Sequence, residues 1–131
     1  MKRSVNSAMR RMRSSVLVGV SLIFLLAPTS TDERIRRIAE LTDRFIYAVA
    51  VLGITGARRD LYAGLPEFLR RIRASTDKPV LVGFGISTPE HVRQLRGQAD
   101  GVVVASRIID AIRRGEQWTG LVESLKAATR S

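Results

Sequence analysis

Four short runs of nearly unbroken apolar residues constrain this chain more than any other feature. They are "LIFLLA" at 22–27, "FIYAVAV" at 45–51, "PVLVGF" at 79–84 and "GVVVA" at 101–105. Each is the length of a strand, rich in branched or aromatic side chains, and too short for a typical buried helix. Strands without polar alternation are covered on both faces, which predicts a parallel sheet beneath helices.

Each run is followed by a helix-start signal. After the first, Pro28 ends the strand, and Ser30 with Glu33 forms a capping box for a helix over 31–41, whose stripe is Ile35, Ile38 and Ala39. After the second, a glycine-bearing loop, "LGITGARRDLYAG", leads to a helix opened by Pro66, with Phe68, Leu69 and Ile72 on one face. After the third, Thr88 caps a helix with Pro89 at its first position, and Gly97 ends it. After the fourth, Ser106 opens a helix over 106–114 that finishes with Arg113 and Arg114 before Gly115. A last amphipathic helix sets Trp118, Leu121, Val122, Leu125 and Ala128 at helical spacing, with Trp118 read as a packing anchor.

Strand and helix thus alternate four times, which fits either an open doubly wound sheet or part of a (β/α)8 barrel. A complete barrel takes about 250 residues. With 131 residues and four units, length alone favours the open sheet.

Composition narrows the function classes. The chain has no cysteine, which excludes a disulfide framework, thiolate catalysis and cysteine-ligated zinc. The net charge is +10, and half of it comes from Lys2, Arg3, Arg10, Arg11 and Arg13 in the first thirty residues, which hold no acid. Such a surface attracts polyanions, but the sequence has no RNA-binding aromatic motif and no helix-turn-helix cue, so no specific nucleic-acid role is expected. The opening "MKRSVNSAMRRMRSS" before "VLVGVSLIFLLA" has the profile of an export signal. Three features oppose that reading. The apolar run 16–27 is shorter than the roughly 20 residues of a spanning helix. A cut after Ala27 would leave Pro28 beyond it and Leu25 where a small residue is preferred. The same stretch also reads as strand, turn and capped helix. The expectation is a cytoplasmic protein with a basic, non-homologous or disordered segment at 1–21 and one α/β unit at 22–131.

Three successive strand ends carry small residues where a helix is about to begin: "GITG" (53–56), "GFGIS" (83–87) and "VVVAS" (102–106). In parallel α/β proteins these ends share one face, where ligands bind. Glycine there permits tight turns and close helix packing. It also lets main-chain N–H groups approach an anion, with helix N-termini adding a favourable dipole.

Together "APTSTDERI", "GITGAR", "KPVLVGFGIS" and "ADGVVVASRII" resemble, in unbroken order from about Leu22 to about Arg114, the C-terminal half of the tryptophan synthase alpha chain. The resemblance implies a partial (β/α)8 TIM barrel, a four-unit half-barrel whose parallel strands correspond to the fifth to eighth. It implies a lyase family that splits indole-3-glycerol phosphate into indole and glyceraldehyde 3-phosphate in tryptophan biosynthesis. It also implies a beta-subunit partner that carries pyridoxal phosphate, so no cofactor and no metal is expected in this chain. By the same resemblance Gly56, Gly85, Ala105 and Ser106 bind the substrate phosphate. Thr55 belongs to the loop that orders a catalytic aspartate, and Tyr47 lies near the indole. Ala105 stands where the family has a glycine; its methyl leaves the N–H available but weakens or shifts the contact. On this reading Gly83 and Gly85 give up strand stability so that the backbone can approach a phosphate.

The family's proton transfers need a glutamate and an aspartate from the second and third strands, which have no counterpart here, and residues 1–21 do not resemble them. Asp32 and Glu33 read as helix-start residues, Asp60 as a loop charge, Asp110 and Glu123 as solvated helix faces, and His91 as structural in the first turn of a surface helix. The expectation is a chain that lacks turnover alone; the alternative is a non-catalytic phosphate- or partner-binding α/β module. A half-barrel also leaves strands 22–27 and 101–105 as bare edges and the inward strand faces open, which invites self-association.

Overall fold

The computed structural model describes residues 19–51 and 60–130. Their order is β1 (Phe24–Leu26), α1 (Asp32–Leu41), β2 (Ile46–Val49), α2 (Leu65–Arg73), β3 (Val80–Gly83), α3 (Pro89–Gln94), β4 (Gly101–Val102), α4 (Ser106–Arg113) and α5 (Trp118–Ala128). The strands form one parallel sheet in the order β1-β2-β3-β4. Every strand is shorter than its apolar run. The run 101–105 pairs formally only at Gly101 and Val102, although the Val103 N–H still donates to the Val82 carbonyl at 2.8 Å.

The register sorts the strand side chains into two faces, because successive residues of a strand point oppositely. Phe24, Ile46 and Val80 form one row of the covered face, and Leu26, Ala48, Val82 and Val102 form the next. They pack with Ile35, Ile38, Phe68, Leu69, Ile72 and Val92 in one continuous core. The opposite face holds Leu25, Tyr47, Leu81 and Gly101 in one row, then Val49 and Gly83. There Leu25 is 53% exposed, and Tyr47, Leu81 and Val49 are half-buried. Coverage on both faces, expected from the apolar runs, is therefore corrected: among the described residues helices cover one face of this sheet and leave the other open.

The helix starts follow the local chemistry with one exchange of roles. Thr31, not Ser30, caps α1, its Oγ1 accepting from the Arg34 N–H at 3.3 Å. Ser30 instead closes the preceding turn, its Oγ accepting from the Ala27 N–H at 3.1 Å. Thr88 and Pro89 open α3 as their types dictate. In α5 the stripe buries Leu125 and Ala128, but Trp118 is 46% exposed. The packing-anchor reading of Trp118 is corrected. Periodicity gave its direction on the helix, but the described residues leave nearly half of its surface exposed. Among the described residues no helix is long and apolar enough to cross a membrane.

Polar struts tie the connections at the N-terminal ends of the strands. Buried Thr42 donates through Oγ1 to the Phe45 carbonyl at 2.6 Å and accepts from the Phe24 N–H at 3.3 Å. The Lys78 ammonium donates to the Ala39 and Thr42 carbonyls at 2.9 and 2.6 Å, placing a cation on the C-terminus of α1, where the helix dipole favours it. Asp100 accepts from the Arg73 guanidinium at 2.5 Å and from the Val80 N–H at 2.7 Å, linking α2, β3 and the approach to β4.

The Arg73 hydrogen bond, followed by the Val80 N–H, holds the Asp100 carboxyl below its ordinary value against a smaller opposing effect of burial. An aspartate depressed in the folded state contributes stability that is fully present above its unfolded value of about 3.9. That contribution is lost as pH falls from there through the folded value. Because the pair is nearly half exposed, the effect should stay within the about 0.2–1 kcal/mol of surface ion pairs. Urea midpoints at pH 7 and pH 3 should differ less in Asp100→Asn than in the wild-type chain. The edges give a second expectation. β1 and β4 each have one unpaired side among the described strands, and edges of that kind pair with other chains. Light scattering of the purified 14.5 kDa chain should report a mass above the monomer, and a compact monomer at micromolar concentration would count against exposed edges.

Candidate phosphate-binding site

The C-terminal ends of β3 and β4 lie side by side, because the two strands are parallel neighbours with Val82 opposite Val102. Beyond β3 the backbone turns sharply at Phe84 (φ 63°) and Gly85 (φ +80°), both in the left-handed region. That region suits glycine, whereas an ordinary side chain such as that of Phe84 is strained there. Gly85 is exposed, and an added Cβ would stand 2.7 Å from Val51 Cγ1. Beyond β4, Ala105 is the N-cap of α4 and offers no side-chain cap, and Ser106 is the first helical residue; both are exposed. The Ala105 carbonyl accepts from the Ile108 and Ile109 N–H groups at 3.0 Å each, so the amides of Ser106 and Arg107 precede the first bonds of the helix. Two exposed backbone segments from adjacent strands thus share one end of the sheet, one of them a helix N-terminus with its positive dipole end.

Tyr47 sits on the open face of β2, half-buried, and burial pushes its phenol up from the ordinary value, so the ring is neutral. Its ring lies over Gly83, where an added Cβ would collide with the phenol oxygen and two ring carbons. The edge of the ring meets Phe84 with centroids 5.8 Å apart and planes at 79°. This revises the reason for one glycine. Gly83 makes room for the Tyr47 ring, and Gly85 supplies the left-handed turn that exposes the loop. Phe84 was missed as a contributor, because a phenylalanine between two glycines carries no sequence signal for a left-handed backbone. Thr55 and Gly56 lie outside the described residues.

Asp32 pairs with Arg71 at 2.7 Å, Asp100 works at the opposite end of the strands, and Asp60, Asp110 and Glu123 are exposed. The open-face rows of the strands contain no carboxylate. His91 is buried in the first turn of α3, its Nδ1 accepting from the Ser87 N–H at 3.3 Å.

A family model described as tryptophan synthase alpha chain matches residues 6–130, a wider span than the motif-bearing 22–114. The tryptophan synthase alpha chain of Roseiflexus sp. (strain RS-1) is 54% identical over 96 residues, covering 73% of this chain and 37% of that protein. A solved structure of Mycobacterium tuberculosis tryptophan synthase superposes with a TM-score of 0.81 at 34% identity, covering 96% of this chain and 48% of the other. A structure of the tryptophan synthase α2β2 complex of Pyrococcus furiosus gives 0.70 at 33% identity, covering 89% and 47%. The chain spans about two-fifths of the length of the curated relatives it matches and just under half of these solved chains.

The contact between Tyr47 and Gly83 predicts a coupled pair. Gly83→Ala should destabilise the chain by about 1–3 kcal/mol, the usual cost of overpacking. In a Tyr47→Ala background the same substitution should cost less than half as much. Urea unfolding of the four chains in this cycle measures the coupling, and equal costs in both backgrounds would contradict the contact.

Proposed function

The chain belongs to the tryptophan synthase alpha chain family, and on that premise we propose that it carries the phosphate-holding half of that family's lyase site without the acid–base half. The observation that carries this reading is Gly85, exposed and left-handed at the end of β3, the strand paired with the one that leads into α4. Main-chain N–H groups near Gly85, Ala105 and Ser106 donate to the phosphate of indole-3-glycerol phosphate or another phosphorylated small molecule, and the dipole of α4 adds to the attraction. The family resemblance adds Gly56 and Thr55, which lie outside the described residues, to this set. Tyr47, neutral and braced by Phe84, offers an aromatic surface to the indole. The natural partner is the tryptophan synthase beta subunit, which holds the pyridoxal phosphate, and the setting is the cytoplasm. The carboxylate-free open face favours a second reading, a phosphate-binding module without turnover.

Two measurements test these readings. Inorganic phosphate or glycerol 3-phosphate should shift the amide resonances of Gly85 and Ser106. Gly85→Val should abolish the effect, since a branched side chain would fill the anion's place and clash near Val51. Unchanged shifts in the wild-type chain would overturn the phosphate site. Positioned acid and base groups each contribute about 10²–10⁴-fold to rate. The purified chain should therefore release no indole from indole-3-glycerol phosphate at an enzymatic rate, and robust release would send the search for proton-transfer groups to Asp32, Glu33, Asp60 and Tyr47.

A further inference from the structure

We propose that His91 is a positioning residue for the anion loop, holding residues 84–87 against α3 through a reciprocal cap. The Thr88 Oγ1 accepts from the His91 N–H at 3.2 Å, and the His91 Nδ1 accepts in return from the Ser87 N–H at 3.3 Å. This is the logic of a capping box, in which the third helical residue reaches back to an amide before the helix, with an imidazole in place of the usual Glu or Gln.

The position of this cap gives it a functional consequence. Ser87 is two residues beyond Gly85, and buried Ile86 lies between them. Phe84, next to Gly85, is a non-glycine residue in the left-handed region, a strained conformation that persists only where the surroundings enforce it. On one side the loop is braced by Phe84 against Tyr47. On the other it is braced by Ile86 in the core and by the Ser87 amide on His91. His91 is itself 7% exposed, so its ring has little freedom to leave the loop. The bond also commits the Ser87 N–H to a partner within the protein.

The functional consequence rests on the phosphate reading, but the loop geometry does not, and the test separates them. In the full-length chain labelled with ¹⁵N, amide exchange at Ser87 and the resonance position of Gly85 are read without ligand, and inorganic phosphate is then titrated. His91→Gln keeps an acceptor at the end of the side chain, whereas His91→Leu keeps an apolar filler without one. Far-UV circular dichroism verifies that both variants fold. His91→Leu should speed Ser87 exchange at least tenfold, move the Gly85 resonance and raise the half-saturating phosphate concentration about 3–10-fold, the scale of one lost hydrogen bond. His91→Gln should remain within about twofold of wild type. Unchanged Ser87 and Gly85 amides in a folded His91→Leu chain would overturn the proposal, as would a glutamine variant no better than leucine. If phosphate binds none of the chains, the phosphate reading fails, and the ligand-free amide data still decide whether His91 holds the loop.

Discussion

The structure depends on the burial of one sheet face. Phe24, Ile46 and Val80, with Leu26, Ala48 and Val82 in the next row, supply the surface on which α1, α2 and α3 pack. Four strands of two to four residues make few ladder bonds, so the hydrogen bonds alone could not hold them. A fully buried aliphatic or aromatic side chain contributes about 1.5–3 kcal/mol. Ile35, Ile46, Phe68, Ile72, Val80 and Val82 are all at or near complete burial. The open face adds much less, and its exposed Leu25 belongs to an edge strand that no described strand covers.

The two ends of the sheet divide the remaining work. At the N-terminal ends, Thr42, Lys78 and Asp100 satisfy backbone groups with side chains and fix how each helix hands over to the next strand. At the C-terminal ends, glycine, alanine and serine leave backbone groups uncovered, and the bracing comes from Tyr47, Phe84 and His91 around the loop. A parallel α/β sheet places its stabilising polar contacts and its ligand loops at opposite ends in this manner.

Much of this was legible in the sequence. The four apolar runs located the four described strands, and Thr88-Pro89 located the start of α3, because these signals act within a few residues of themselves. Gly97, expected to end that helix, does adopt a positive φ of 74°. What the sequence did not reveal depends on partners distant in the chain. Ser30 and Thr31 are equally good caps by type, and the turn back to Ala27 decides between them. Trp118 has the right spacing for burial, yet nearly half of its surface is exposed. The need for glycine at 83 comes from the Tyr47 ring on the neighbouring strand, 36 positions earlier. Asp100 carried no signal of its own in the sequence, and its bonds to Arg73 and Val80 appear only once β3 and β4 are paired.

The strand order has a consequence of its own. Each strand lies beside the one that precedes it in the chain, with no strand inserted between earlier neighbours. The fold is therefore a series, in which every βα unit docks on the one before it and none must be parted to admit another. Such an architecture can be lengthened at either edge without rethreading a single connection. Growth by whole units, through duplication or fusion of coding segments, is the kind of change this topology tolerates best, and an insertion that left half a unit unpaired is the kind it tolerates least.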